Sequence, residues 1–344
     1  GAPDWGRVIV SAGALVGLVV GVVRLAMTVS AWRQSKQDSR AKEVREHGAV
    51  APGHTVALER IAEYLGDLPS TVNQPLRHQF EEARAVHEES LREEHLPRRK
   101  AGLREAIRRY SVGLGLSPRP SERAALFVLM GNCFLALGRL GEALDSYGKA
   151  LSAALGIEDE SEKKRARAAA LGNQGAVYLQ RGNLERAGEY FQAALTLHKE
   201  VGYRLGEAQE LGNLGIVYRH KGDLEQALEH HRQALAIHKE IGHRLGEARD
   251  LGNLGIVSQH KGDLEQALEH HRQALAIHKE TGYSLGEARD LGNLGIVYGR
   301  KGDLKRAEEH YERALRLFEE LGAKADAEIA RRNIEELRRK KGEP

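Results

Sequence analysis

The histidines are the side chains whose number and spacing could most readily support chemistry. The chain contains 16 of them, and His230, His231 and His238 recur 40 residues later as His270, His271 and His278. Neutral imidazoles on one helix face can bind a transition metal. Adjacent residues such as His230 and His231 point to different sides of a helix, however, and a metal site normally adds a Cys or carboxylate ligand. We therefore expect packing or surface histidines, and duplication of a segment explains their number.

The sequence carries none of the common catalytic motifs. It has no glycine-rich phosphate loop with its lysine, no HExxH pair, no paired-cysteine motif and no nucleophile elbow. Its single cysteine, Cys133, excludes an internal disulfide. We therefore predict a protein that is not an enzyme and that uses no cofactor and no metal.

The overall charge gives no sign of a nucleic-acid partner. The formal net charge is +3 over 344 residues, and no basic stripe interleaved with aromatic residues is present. We predict that the partners do not include nucleic acid.

The chain is organised around an internal repeat of 40 residues. Residues 211–250 and 251–290 are identical except at five positions of the second copy, which are Ser258, Gln259, Thr281, Tyr283 and Ser284. A period of this length is typical of solenoids, in which no unit buries its apolar face alone and stability comes from stacked neighbours.

Each repeat unit is predicted to be a helix hairpin. Small and apolar residues lie at helical spacing on both sides of a turn at Gly222. Gly222 can end the first helix in the left-handed conformation, and Asp223 can accept from the free N–H groups that begin the second. Gln226, three residues later, completes a capping-box pattern.

These residues resemble the tetratricopeptide (TPR) repeat. The positions that carry the resemblance are Leu214, Gly215, Tyr218, Gly222, Ala227 and Ala234. The 40-residue units are longer than the common 34-residue form and are similar to those of kinesin light chain, the Pins-type spindle adaptors and many bacterial arrays. The resemblance implies an all-α, right-handed solenoid that binds proteins or peptides. It also places His231 where the family has an aromatic core residue.

Five TPR-like units are predicted in residues 121–322. The first helix of each unit contains a glycine at the equivalent position; these are Gly131, Gly175, Gly215, Gly255 and Gly295. Residues 76–118 are interpreted as a degenerate capping repeat, and residues 323–344 as a C-terminal capping helix, since terminal repeats meet solvent on one face.

The resemblance places a partner-binding groove along the first helices. The groove residues are an apolar set, Ile216, Ile256 and Ile296, and a basic set, Arg219, His220, Arg249, Arg289 and Arg300. TPR modules that clamp a carboxylate place Asn and Lys or Arg here, but only Asn132 offers that Asn, and Asn173, Asn213, Asn253 and Asn293 are assigned to a structural position. An apolar floor edged by cations favours an amphipathic helix or an extended apolar and acidic segment. Alternatively, the isoleucines pack between repeats.

Residues 8–31 are predicted to form a transmembrane helix. Residues 8–30 would span about 34 Å as a helix, enough for a hydrocarbon core of about 30 Å. Only Arg24 interrupts the apolar run, close enough to one end to reach the headgroups. A cleaved signal peptide and a buried helix of a soluble domain are alternatives. An interfacial helix fits less well, because the apolar residues surround the helix.

The flanking charges predict how this helix is oriented. Arg7 is the one basic side chain before it, whereas five follow it at Arg33, Lys36, Arg40, Lys42 and Arg45. The positive-inside rule then places the tail of residues 1–7 outside, and the helical connector of residues 32–75 and the repeats in the cytoplasm.

A glycine stripe runs along the predicted membrane helix. Gly13, Gly17 and Gly21 recur every four residues, a spacing that lets membrane helices approach closely. The stripe indicates self-association or packing on a partner's helix, although glycine is also common in membrane helices.

Three functional hypotheses follow from the sequence. The first is a single-pass, membrane-anchored adaptor that captures a protein or peptide in the groove. The second is a homo-oligomer or pore assembled through the glycine stripe, with the repeats as a sensing domain. The third is a constitutive subunit of a larger membrane complex.

Overall fold

A computed structural model describes residues 74–92, 96–116 and 118–342. Within these ranges all regular structure is α-helical, which confirms the predicted all-α class. The helices are α1 Gln74–Arg92, α2 Leu96–Gly115, α3 Pro120–Ala136, α4 Leu140–Ala154, α5 Glu160–Gln180, α6 Leu184–Glu200, α7 Arg204–Lys221, α8 Leu224–Glu240, α9 Arg244–Lys261, α10 Leu264–Thr281, α11 Ser284–Arg300, α12 Leu304–Glu320 and α13 Lys324–Lys341.

The predicted membrane helix of residues 8–31 lies outside the described residues, and its glycine stripe lies there with it. The tail of residues 1–7 and nearly all of the connector are outside them too. No helix from α1 to α13 combines the length and the apolar composition that crossing a bilayer requires.

The helices pack as consecutive hairpins. α1 pairs with α2, α3 with α4, and so on to α11 with α12; each second helix then packs on the first helix of the next hairpin, and α13 covers α12. The apolar core is therefore shared between neighbours, as in a solenoid. The odd-numbered helices from α1 to α11 are called first helices below, and the even-numbered helices second helices.

A glycine of the first helix faces a ring of the second helix in each hairpin from α3 to α12. The pairs are Gly131 with Tyr147, Gly175 with Phe191, Gly215 with His231, Gly255 with His271, and Gly295 with Tyr311. A Cβ atom at any of these glycines would lie 2.3–2.7 Å from a ring atom, well inside the carbon contact distance of about 3.5 Å. The absence of a side chain therefore sets how closely the two helices approach.

The turns follow the predicted glycine and N-cap chemistry but not the reciprocal capping box, because the backbone N–H of Asp223 donates to the backbone oxygen of Tyr218 at 3.0 Å. Gly222 has a φ of 82° and ends α7, and Asp223 Oδ1 accepts a hydrogen bond of 3.1 Å from the backbone N–H of Gln226. The next repeat copies this arrangement at Gly262 and Asp263. A left-handed residue at this point reverses the chain without a Cβ clash.

The junctions between hairpins change character along the array. Each joins the end of a second helix to a residue twelve positions later on the following helix; the pairs are Ala154 with Ala166, His198 with Glu210, His238 with Asp250, His278 with Asp290, and Phe318 with Ala330. His238 Nδ1 lies 2.6 Å from Asp250 Oδ2, and both side chains are fully buried. Burial raises the pKa of Asp290, and its hydrogen bond with His278 opposes that shift. The three central junctions therefore hold buried histidine–carboxylate pairs, whereas the first and last junctions of this series are apolar.

Histidine replaces an aromatic ring in two hairpins. His231 is fully buried, and burial, followed by the charges of Arg219 and Arg249, lowers its pKa to about 3. Burial lowers the pKa of His271 to about 4. Both imidazoles are therefore neutral at pH 7 and act as packing rings.

We expect two neighbouring glycines of α11 to respond oppositely to alanine. Gly295→Ala should lower stability by about 1–3 kcal/mol through overpacking against Tyr311, whereas Gly292→Ala should raise it by about 0.5–1 kcal/mol, because alanine favours the helix. A Cβ at Gly292 would meet nothing within 4 Å. Urea unfolding midpoints check this, and equal changes at the two positions would contradict the close contact.

We expect His231→Phe to stabilise the protein more at pH 5 than at pH 7. The pKa of folded His231 lies below the unfolded value, so the neutral form contributes stability above about pH 6.5, and this stability is lost as the pH falls towards 3. At pH 5 the wild type should have lost about 2 kcal/mol that the phenylalanine variant retains. Urea unfolding at both pH values measures the difference; an equal gain at pH 7 and pH 5 would mean that folded His231 titrates normally.

Candidate functional site on the first helices

Consecutive first helices contact one another directly. α3 touches α5, α5 touches α7, α7 touches α9, and α9 touches α11, in addition to their packing on second helices. Equivalent residues of neighbouring repeats therefore lie in rows that run across these helices. The accessible side of α7, α9 and α11 is called the first-helix face.

An apolar row lies along the middle of this face. It consists of Ile216, Ile256 and Ile296, and each is partly exposed. Ile296 also packs against a core cluster that includes Leu294 and Val297. The packing role considered from the sequence therefore applies in part to Ile296, while all three residues keep surface accessible to a ligand.

A first basic row lies two helical turns before the isoleucines. Arg249 and Arg289 are both partly exposed, seven residues before Ile256 and Ile296. Arg289 lies 3.9 Å from Asp326 of the capping helix α13. Arg249 makes no hydrogen bond and no ion pair with the residues that the structure describes. Its charge is thus free to meet a ligand.

A second basic row lies one turn after the isoleucines. His220, His260 and Arg300 are exposed there, four residues beyond each isoleucine. Arg300 Nη1 donates to the backbone oxygen of Gln259 at 3.0 Å, which orients the guanidinium across the repeat boundary. Burial lowers the pKa of His220, and the neighbouring charges of Arg219 and His260 lower it further, so this imidazole is mainly neutral at pH 7 and Arg300 carries the permanent charge of the row. Arg219 is half-buried, and its pKa is lowered by that burial.

The carboxylates of α7, α9 and α11 are all engaged by basic side chains or histidines. Three lie near the helix starts beside lysine or arginine, and three are the buried junction residues. These are Glu207 with Arg204, Glu247 with Arg244, Glu287 with Lys279, Glu210 with His198, Asp250 with His238, and Asp290 with His278. None of them neutralises the two basic rows, so the first-helix face attracts acidic groups.

Asparagines at an unpredicted position also reach this face. Asn213, Asn253 and Asn293 are partly exposed, three residues before the isoleucines, although the sequence assigned them a structural role. Their spacing from the isoleucines, three residues on a helix, is the signal that could have placed them on this side. Asn213 Nδ2 donates to Glu210 at 3.0 Å, so this amide also hydrogen-bonds the carboxylate of a junction between hairpins.

Asn132 does not join the face. It is 4% exposed, and its Oδ1 accepts a hydrogen bond of 2.8 Å from the Tyr147 hydroxyl. Its amide thus serves the packing of the α3–α4 hairpin. Asn132 fills the position that isoleucine occupies in the last three repeats, which is why spacing alone placed it in the groove.

The recurring histidines do not converge on a metal site. His231 and His271 face glycines, and His238 and His278 pair with carboxylates. In the part of the chain that the structure describes, no group of three or more His, Cys, Asp or Glu is placed to hold a metal ion.

Comparison with known families identifies the repeat. One tetratricopeptide repeat model matches residues 166–240 and 247–320, and a second matches residues 129–200. Together they cover more than half of the chain. The chain belongs to the tetratricopeptide repeat family. This confirms the resemblance that the 40-residue units indicated.

Solved structures share this TPR fold at low sequence identity. A Rap protein complexed with Competence and Sporulation Factor is 18% identical, with a TM-score of 0.61 over 88% of this chain and 85% of the Rap chain. BtubC (BKLC) from P. vanneervenii is 21% identical, with a TM-score of 0.51 over 70% and 90% of the two chains. A Podosopora anserina protein assigned to the kinesin light chains, with nearly identical TPR-like repeats, is 17% identical, with a TM-score of 0.49 over 58% and 96%. The first two show a common fold; no curated protein sequence matches significantly.

Proposed function

We propose that this TPR protein is a membrane-anchored scaffold whose first-helix face captures a peptide or helix of a partner protein. TPR solenoids are protein-interaction folds, and this one carries its repeated chemistry on a single accessible face. The mechanism is binding alone, without a covalent step.

The observation that carries the proposal is the charge pattern of the face. An apolar row lies between two basic rows, and the carboxylates of the same helices are engaged elsewhere. A guanidinium without a partner, such as that of Arg249, gains a charge-assisted hydrogen bond when an acidic ligand binds. The isoleucines supply apolar contact, at about 25 cal/mol per Å² of surface buried.

The Rap protein that shares this fold supports the proposal. It is complexed with Competence and Sporulation Factor, so the fold accommodates a bound partner in that protein. At 18% sequence identity the similarity shows a common fold only. The ligand of this chain is therefore inferred from its own side chains.

The membrane part of the proposal rests on composition. Residues 8–31 form a run interrupted by the single charge of Arg24, and the basic residues that follow favour a cytoplasmic location for the repeats. The scaffold would then contact lipid through residues 8–31 and present its first-helix face to the cytoplasm.

We expect the double variant Arg249→Glu, Arg289→Glu to weaken partner binding strongly. A peptide-phage selection on the full-length chain in detergent should enrich sequences that combine acidic and apolar residues. Binding of the enriched peptides should fall by about tenfold or more in the variant, because two attractive charges become repulsive. Fluorescence anisotropy measures this change, with circular dichroism as a check on folding.

The matched control is Lys239→Glu, Arg316→Glu. It makes the same change in net charge at exposed positions of the second helices α8 and α12, and it should leave binding unchanged. Equal losses in the two double variants, or none in either, would contradict the assignment of the first-helix face.

Self-assembly through the glycine stripe is a second candidate function. Gly13, Gly17 and Gly21 form one face of the predicted membrane helix, and small residues at four-residue spacing favour helix association in lipid. In this alternative the repeats serve an oligomer or pore as a sensing domain.

We expect Gly17→Leu to dissociate such an oligomer, because a leucine in the stripe keeps the backbones apart. Light scattering of the detergent-solubilised protein gives the mass of the particle, and Val19→Leu, outside the stripe, is the control. An oligomer that persists in Gly17→Leu would exclude the stripe as its interface.

A further inference from the structure

We propose that the occupant of the first-helix face is an amphipathic α-helix with an apolar seam of seven-residue periodicity and carboxylates on both sides of that seam. This inference rests on the proposed function and specifies its partner. It follows from the spacing of the apolar row, the distance between the basic rows, and the charge of the face.

The spacing of the apolar row sets the period of the ligand. Packed helices lie about 8–10 Å apart, and α7, α9 and α11 contact in succession, each carrying one isoleucine of the row. Residues seven positions apart in an α-helix are separated by about 10.5 Å and lie on nearly the same side. In a β-strand, same-side residues are about 6.6 or 13 Å apart, and neither distance matches the row.

The distance between the basic rows sets the width of the ligand. Arg249 lies seven residues before Ile256, and His260 lies four residues after it. At 1.5 Å per residue the two basic rows are therefore about 16 Å apart along α9 and along α11. An α-helix with its side chains is about 10–12 Å across, so its two flanks can contact both rows at once. A polyproline chain could match the row spacing at about 9.3 Å for every third residue, but it is too narrow to satisfy both basic rows.

The charge of the face sets the chemistry of the flanks. Arg249 and Arg289 border the apolar row on one side, and Arg249 has no hydrogen-bond or ion-pair partner among the described residues. On the other side Arg300 carries a permanent charge, and the imidazoles of His220 and His260 can donate hydrogen bonds to carboxylates. A ligand helix with acids on one flank would leave the other basic row unmatched. In heptad terms, the ligand carries apolar residues at a and d and acidic residues at e and g.

The test uses a labelled 21-residue peptide of three heptads, with Leu at a and d, Glu at e and g, and Ala and Gln elsewhere. Glu at both e and g also hinders pairing of the peptide with itself. One control peptide has the same composition with the Glu residues moved to b and c, so that the acids lie away from the seam. A second carries Pro at the centre of the middle heptad, which breaks the helix.

We expect the parent peptide to bind the full-length protein about tenfold or more tightly than either control, a difference of about 1.4 kcal/mol. Its binding should be lost in Arg249→Glu, Arg289→Glu and kept in Lys239→Glu, Arg316→Glu. A peptide with Lys on one flank only, at e or at g, should regain affinity for the first of these variants, because that variant reverses the charge of the first basic row alone. Fluorescence anisotropy at low and physiological salt measures all of these affinities.

Two outcomes would overturn the inference. Equal binding of the proline peptide would show that the occupant is extended, and equal binding of the displaced-acid peptide would show that the flanks carry no specificity. If none of the designed helices binds while phage-selected peptides still depend on Arg249 and Arg289, the helical ligand is wrong and the scaffold function stands. If the selected peptides are also insensitive to these arginines, both proposals fail.

Discussion

The close contact between a glycine of the first helix and a ring of the second helix is the constraint on which the array depends. At Gly295 a Cβ atom would lie 2.7 Å from the ring of Tyr311, so any larger residue would push the two helices apart. The ring fills the side of the first helix that faces its partner. The isoleucines, one residue after the glycines, are thereby directed away from the hairpin interior. The contact that stabilises each hairpin thus also places the candidate binding residues on the accessible side.

Histidine at two ring positions shows that the contact with glycine requires a flat ring of suitable size but not a particular aromatic residue. A neutral imidazole at His231 fills the place that Phe191 occupies one repeat earlier, at the cost of burying two ring nitrogens without hydrogen-bond partners among the described residues. The junction pair of His238 and Asp250 differs, because there Nδ1 and Oδ2 pair with each other, although His238 Nε2 and Asp250 Oδ1 have no hydrogen-bond partner among the described residues. Such pairs add little to stability compared with apolar packing, but they disfavour pairing a hairpin with an apolar neighbour. This would help near-identical repeats to stack in one order.

The fold could be predicted from the sequence because its determinants are local or periodic. The 40-residue period, the left-handed turn at Gly222 and the Asp223 cap each depend on a few residues near in the chain. The site was predicted less completely. Spacing placed Asn132 in the groove, but its hydrogen bond with Tyr147 depends on how two helices approach. The junction carboxylates Asp250 and Asp290 gave no sign in the sequence of their histidine partners, since each pair bridges separate hairpins.

The surface ion pairs show how this array normally uses its charged side chains, and the unpaired charge on the first-helix face departs from that use. At the edges of the array, cations at helix ends meet glutamates of the same or the neighbouring hairpin, in Lys221 with Glu185, Lys261 with Glu225, Lys301 with Glu265, Arg204 with Glu240, and Arg244 with Glu280. On the first-helix face Arg249, two turns before Ile256, meets no carboxylate among the described residues, whereas the equivalent Arg289 lies 3.9 Å from Asp326 of α13. Stacking needs no such residue, because packing is provided by glycine, ring and alanine positions. A basic row repeated beside an apolar row therefore fits a ligand that repeats at the same interval, and each added repeat extends the binding surface by one further contact of the same kind.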